Sequence, residues 1–500
     1  MSGSFLFLSC IPHWVKGLKA RLLILLFLLS TVGLAQGAPV MVKGTTPGLS
    51  SFIAVDTGPN IIVAAGISNG TGIGDFDIVL VALDTKGKVL WEKAYGGAGR
   101  DLVSSVKVLP DGSVLVAGGS ASFNGSWIFQ VDARGNIVWS KVYETGMIYS
   151  ALPYEDGILA LSFANEKPLL LKLTSKGLVE RAYLINTSLR VVPVTMKALP
   201  GQGIYIAGIA NSSATSSPDF WLAKVDEGGN ILWERTYGFD GMDKLYDIEV
   251  DGRGITLVGY TTFFNNETNV NLFVVRTDLD GRLLWARVIG GPGEDWANAV
   301  SLLPSGKLAL GGTTYSTPNP QAWLLFMDIY GTTGESLLIG SEGVDWIRSL
   351  APLPSGGLVF VGGLNGTSVE PGSIGESSFF LCIFKEGESF AGCRVSVHRL
   401  DFPVTGATPV TWVSSGGKAI AVNVSAQDVV PEVKTIPGGF EALCPVESTM
   451  TTTTVPTTTS TTSTAASETG TTSSSGVGLC GPGLLVALSL STILLWRKTR

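Results

Sequence analysis

Between Val40 and Pro445, apolar residues fall at every second position in short runs broken by turn residues, as in "SSVKVLPDGSVLVAGG" (104–119), "AVSLLPSGKLALGG" (299–312) and "SLAPLPSGGLVFVGG" (349–363). Alternation over such lengths, rich in Val, Ile and Leu, predicts strands, and no window sustains a 3.6-residue period. A second signal repeats between those runs: "DTKGKVLW" (84–91), "DARGNIVW" (132–139), "DEGGNILW" (226–233) and "DLDGRLLW" (278–285). Registered on its glycine, the unit recurs at Gly87, Gly135, Gly177, Gly229, Gly281, Gly331 and Gly387, at spacings of 48, 42, 52, 52, 50 and 56 residues. Each unit reads as strand, P-x-G turn, strand, variable loop, strand, D-x-x-G turn, strand.

Four short antiparallel strands repeated at this spacing predict an all-β fold, a β-propeller of four-stranded blades. One such sheet has two apolar faces, and only a ring of sheets buries both. The Asp of each turn accepts hydrogen bonds from the turn's own amides, and the glycine supplies a positive φ. Trp91, Trp139, Trp233 and Trp285 offer flat surfaces for packing on the next blade. Seven blades are expected. "PVMVKG" (39–44) aligns with the last strand of a unit and is expected to close the ring by sharing a blade with the last segments. A further hairpin is read at "PVTWVSSGGKAIAVNVS" (409–425). Eight blades is the alternative, with that hairpin and the N-terminal strand sharing a blade.

The units resemble the SBBP-type β-propeller repeats of bacteria and archaea, on "GGPGEDWANAVSLLPSGKLALGGTTYS" (290–316), and more distantly the PQQ-like propellers, on "ALDTKGKVLW" (82–91). The likeness covers nearly all of residues 40–400 and implies a propeller without implying an activity. Two units depart from it: unit three has Glu180 and Arg181 where tryptophan is expected, and unit six loses the pattern at "GTTGESLLIG".

The chain's ends differ from its middle. Lys16, Lys19 and Arg21 precede the apolar run "LLILLFLLSTVGLA" (22–35) and small residues, which predicts a secretory signal over residues 1–38. The propeller is expected over 39–446. From Ser448 to Ser475, 21 of 28 residues are Ser or Thr, so residues 447–476 are expected to form an extended O-glycosylated stalk. Residues 477–500 hold "CGPG", the run "LLVALSLSTILLW" and the basic end "RKTR". That order behind a Thr-rich stalk resembles the CGP-CTERM sorting signals of archaeal surface proteins. The resemblance implies that Cys480 is the processing and lipid-attachment position. An ordinary membrane helix is the alternative. Both place the ectodomain outside the cell, held at the cell membrane.

Charge supports that placement. The ends carry six basic residues and no acid, so the net charge of −7 becomes −13 without them. An acidic exterior argues against nucleic acid as a partner. Asn69, Asn124, Asn186, Asn211, Asn266, Asn365 and Asn423 all stand in N-x-S/T, which suggests a glycosylated surface. Cys382 and Cys393 flank a hairpin-like segment and are expected to pair across it, leaving Cys444 over.

Four units carry G-x-D after their last strand, with Asp101, Asp243, Asp295 and Asp345. One reading is a carboxylate ring on one rim that attracts cations. The favoured reading is that each Asp ties down its own interblade loop. Asn69, Asn124, Asn211, Asn266 and Asn365 fall in the variable loop after the second strand, which would put glycan on one rim and leave the opposite mouth for binding. "NGTGIGDFD" (69–77) is read as a solvent loop, since it lacks a phosphate-binding spacing. His13 and His398 are the only histidines, and neither a G-x-S-x-G nor a P-loop occurs. No cofactor is predicted. The expected role is a non-catalytic surface module binding envelope polysaccharide or a surface protein. The rival is an extracellular propeller enzyme, a PQQ-like sugar dehydrogenase or a glycoside hydrolase.

Overall fold

The computed structural model describes residues 38–444, apart from 45–49, 212–214, 216, 265–268, 341–342, 367–377, 386–387, 389, 391–395, 401, 415 and 436–439. The expected signal (all but residue 38), stalk and sorting segment, with Cys480, fall outside the described residues, as do Asn266 and Cys393.

Seven antiparallel sheets follow one another along the chain, at residues 50–96, 101–143, 150–184, 190–238, 243–289, 295–340 and 344–384. These are blades 1 to 7 of a β-propeller. The first strands of successive blades touch in order, and that of blade 7 touches that of blade 1, so they line the axis of a closed ring. Blade 7 supplies only three strands of its own. Its fourth is Val40–Gly44, which pairs antiparallel with Ser378–Phe384 through Val40↔Ile383 and Val42↔Leu381. The ring therefore closes with the N-terminal strand, as the alignment of residues 39–44 predicts.

The segment after residue 395 adds no eighth blade. It runs backwards around the ring and lays one short antiparallel strand on the outer edge of every blade. Ser396–Arg399 joins blade 6, Val404–Ala407 blade 5, Val410–Ser414 blade 4, Ile420–Ala421 blade 3, Ala426–Asp428 blade 2 and Glu432–Thr435 blade 1. Phe440–Ala442 finally pairs with Val40–Gly44 in blade 7. Every blade thus has five strands. This corrects the hairpin read at 409–425, whose two arms pair with blades 4 and 3 instead of with each other. An outermost strand with a free backbone edge is a stronger template than a partner offering so few paired residues.

The core is divided among the blade junctions. Each buried cluster draws on two neighbouring blades: Tyr95, Trp127 and Phe129 lie between blades 1 and 2, Phe220 and Phe273 between blades 4 and 5. A sheet buried on both faces reads as near-continuous apolar sequence, as in Ile62–Ser68, where every residue is buried.

Candidate functional site

The four G-x-D carboxylates are all fully buried, which removes them as a solvent-facing cation ring. Each described partner set is local. Asp101 accepts from the Gly97 amide (2.9 Å), the Ser122 hydroxyl (2.7 Å) and the Ser120 hydroxyl. Asp295 accepts from the Gly291 amide (2.7 Å), the Ser316 hydroxyl (2.8 Å) and the Thr314 hydroxyl. They fasten the chain where it passes from one blade to the next. Among the described residues, no group of three or more His, Cys, Asp or Glu side chains is placed to hold a metal ion.

The tryptophans fill a wedge between blades. Glycines of the D-x-x-G turns adopt positive φ, +75° at Gly135 and +74° at Gly281. With no side chain, each receives the indole of the preceding blade: a Cβ on Gly135 would lie 3.0 Å from Trp91, and one on Gly281 would lie 2.7 Å from Trp233. Trp139 packs likewise on Gly177, and Trp285 on Gly331. Where the sequence departs from the pattern the wedge opens. Arg181 takes the tryptophan's place in blade 3, and a cleft of about 620 Å³ lies there, lined by Lys172, Glu180, Arg181, Tyr183, Glu227 and Gly228. Glu335 takes it in blade 6, beside a cavity of about 290 Å³ that Phe326, Met327 and Phe384 also line. In the blade 3–4 cleft, Lys172 stands 3.5 Å from both Glu155 and Glu227.

Both clefts open on the rim that carries the D-x-x-G turns. Antiparallel order places the variable loops, hence the Asn69, Asn124 and Asn211 sequons, on the other rim. Asn69, Asn124 and Asn211 are exposed, Asn124 with φ +58°. Asn186 and Asn423 are exposed as well, while the Asn365 side chain and Asn266 are outside the described residues.

A third feature had not been anticipated: charged side chains inside the ring. The inner strands contribute Asp56, Lys107, Lys197, Asp247, Glu249 and Arg348. Lys107 lies 3.5 Å from Asp56, and Lys197 lies 2.9 Å from Glu249. Lys197 keeps 34% of its side chain accessible, so the axis is an open lumen and not a packed core. The acids also bind neighbouring backbones: Asp56 accepts from the Val108 amide (2.8 Å), Asp247 from the Val300 amide (3.1 Å). Burial opposes the charge on Lys197, but Glu249 and Asp247 outweigh it and hold its pKa above the ordinary value. Burial raises Asp247, which Lys197 partly offsets. A trace of this existed in the sequence. Asp56, Lys107, Lys197 and Glu249 each break the apolar alternation just before the first turn of their unit.

The cysteine pairing differs from expectation. Cys382 is a free, buried thiol, and Cys444 is the disulfide-bonded residue. Cys382 lies on a central strand of blade 7, directed into the apolar cluster shared with blade 6, where burial raises its pKa well above the usual value. Cys393, the partner expected for Cys382, lies outside the described residues.

No protein-family model matches the chain, and no curated protein matches it either. Among solved structures it is similar to Sqt1 from Chaetomium thermophilum, at 14% identity over 71% of this chain and 90% of that one, with a TM-score of 0.41. It is similar also to the β-propeller domain of the Trilobed protease from Pyrococcus furiosus, at 12% identity over 66% and 93%, TM-score 0.40. A third is the Pyrococcus horikoshii acylaminoacyl peptidase, at 13% identity over 66% and 51%, TM-score 0.39. Likeness at this level carries no inference about function, and the assignment as a seven-bladed β-propeller rests on the chain's own sheets.

Proposed function

We propose that this chain is an exported, membrane-held binding protein whose turn-bearing rim captures envelope polysaccharide or a surface protein. The observation that carries the reading is the inequality of the two rims. One bears the N-x-S/T loops, and the other bears the blade 3–4 and blade 6–7 clefts. Glycan on the first would leave the second as the accessible face. The blade 3–4 cleft sets Tyr183 among Lys172, Arg181, Glu180 and Glu227, a set of donors and acceptors suited to a hydroxyl-rich ligand. The signal, the stalk and the Cys-Gly-Pro segment supply export and attachment in this reading, with Cys480 as the lipidated residue.

The test restores the repeat's own residue. Arg181→Trp should fill the wedge as Trp139 and Trp233 do, and abolish retention on isolated envelope polysaccharide and on envelope surface protein. Retention of the variant equal to that of the unaltered full-length protein, or no retention of either, would overturn the reading.

A further inference from the structure

Arg348 stands apart from the other charges in the lumen. Lys107 and Lys197 each have an acid within reach, and Asp56 and Asp247 each accept a backbone amide of the neighbouring blade. Arg348 makes no hydrogen bond and no ion pair with any described residue. Asp247 and Tyr246 of blade 5 act on it electrostatically without a hydrogen bond to it, and the Asp247 oxygens accept the Ile248 and Val300 amides.

The backbone explains how an arginine comes to stand there. Inner strands of six blades shift register at matching places, Ile53, Ser104, Val194, Tyr246, Asn298 and Arg348, and that of blade 7 shifts a second time at Asp345. In blade 7 the bulge presses so closely on the second strand that a Cβ on Gly362 would lie 1.8 Å from the Trp346 carbonyl oxygen. Among these six bulge residues Arg348 carries the sole charge. Asn298 beside it donates to the Ile347 carbonyl (2.8 Å) and leaves its own carbonyl oxygen buried without a donor.

A half-buried guanidinium whose five N–H donors find no described partner is left to water or an anion. Its planar fork matches two oxygens of one oxyanion. We propose that the lumen is a binding site for a small oxyanion held by Arg348: an inorganic tetrahedral anion or the carboxylate of an acidic sugar. A hydroxyl next to such a carboxylate would also satisfy Asn298. The site is independent of which rim captures envelope material.

The experiment is calorimetric titration of the purified full-length protein with sodium sulfate and, separately, sodium D-galacturonate, at ionic strength fixed with sodium chloride. Saturable binding of one anion per chain is expected. It should weaken at least about tenfold in Arg348→Met and less in Arg348→Lys, which keeps the charge and loses the fork. Arg134→Met, altered at an exposed residue outside the lumen and outside the blade 3–4 cleft, should bind as the parent does. Saturation by sulfate alone identifies a free oxyanion, and saturation by galacturonate alone identifies the acidic sugar. Absence of saturable binding by both, or unchanged affinity in Arg348→Met, overturns the proposal. Should Arg348→Met not fold, unchanged affinity in Arg348→Lys overturns it equally. Neither result bears on retention through the blade 3–4 cleft.

Discussion

Asp219 and Asp243 converge on one glycine: a Cβ on Gly238 would lie 2.1 Å from Asp219 Oδ1 and 2.6 Å from Asp243 Oδ2. Asp77 and Asp101 meet in the same way over Gly96. At the next two junctions the first member is an amide, with Asn271 facing Asp295 over Gly290 and Gln321 facing Asp345 over Gly340. Burial disfavours charge on a carboxylate so enclosed, and a second carboxylate nearby adds to the effect. Burial, with Asp219's charge behind it, pushes Asp243 up to about 8.

Asp243→Asn, which removes the titrating group, should therefore stabilise the protein at alkaline pH. A carboxyl whose pKa is higher folded than unfolded binds its proton more tightly in the folded state, so stability falls as pH climbs from about 4 towards about 8. The variant should lose that decline and gain about 2 kcal/mol at pH 9. Thermal melts from pH 5 to pH 9 read this directly, and parallel curves for both proteins would contradict it.

Glu92 is a second buried acid, and neither of its oxygens has a hydrogen-bond partner. In blades 2, 4 and 6 the matching position receives an indole N–H: Trp127 on Ser140, Trp221 on Glu234 and Trp323 on Ser336, each at 2.9 Å. Blade 1 has Val79 where those tryptophans stand. Without that donor, burial raises Glu92 to about 7. Stability is lost as pH rises from about 4.5 to about 7 and stays low above it. Glu92→Met should be more stable by about 2 kcal/mol at pH 8 and near neutral at pH 4.5. Chemical denaturation at the two values gives the comparison.

Trp91→Ala should open between blades 1 and 2 a cleft like the one beside Arg181. The loss of packing on Gly135 and of the bond from Trp91 Nε1 to the Ala133 carbonyl (2.8 Å) should cost about 3 kcal/mol. Denaturant titration measures it; a loss under 1 kcal/mol, roughly a surface change, would show that the wedge is not a packing site.

Cys382 should resist thiol reagents in the native protein and react once on unfolding, because it is buried and burial holds it protonated. Non-reducing peptide mapping should recover Cys444 in a cross-linked peptide. A native protein that reacts at Cys382, or a reduced Cys444, would contradict the arrangement.

Much of this was legible in the sequence because repetition amplifies weak signals. The strand–turn order and the ring follow from apolar alternation and the glycine and tryptophan spacing, and the closing strand at 39–44 from its likeness to the last strand of a unit. The outer strands were hidden for physical reasons. Ile420–Ala421 pairs through two residues and Ala426–Asp428 through three, and their side chains are largely exposed, so no apolar alternation marks them. The periodicity of Asp101, Asp243, Asp295 and Asp345 was plain, but burial depends on the loop folding over them. Arg348 escaped because its direction is set by a register shift, and bulges leave no period in the sequence.

The outer strands also give the molecule a direction of failure. Once the Cys444 disulfide is reduced, tension on the chain beyond it reaches Phe440–Ala442 first, then Glu432–Thr435, and so travels blade by blade in reverse order. Each short strand would unzip singly while the four-stranded blades behind it stay whole. A surface protein pulled from its C-terminal side would lengthen in small steps before its ring opened, shedding load much as a sacrificial seam does.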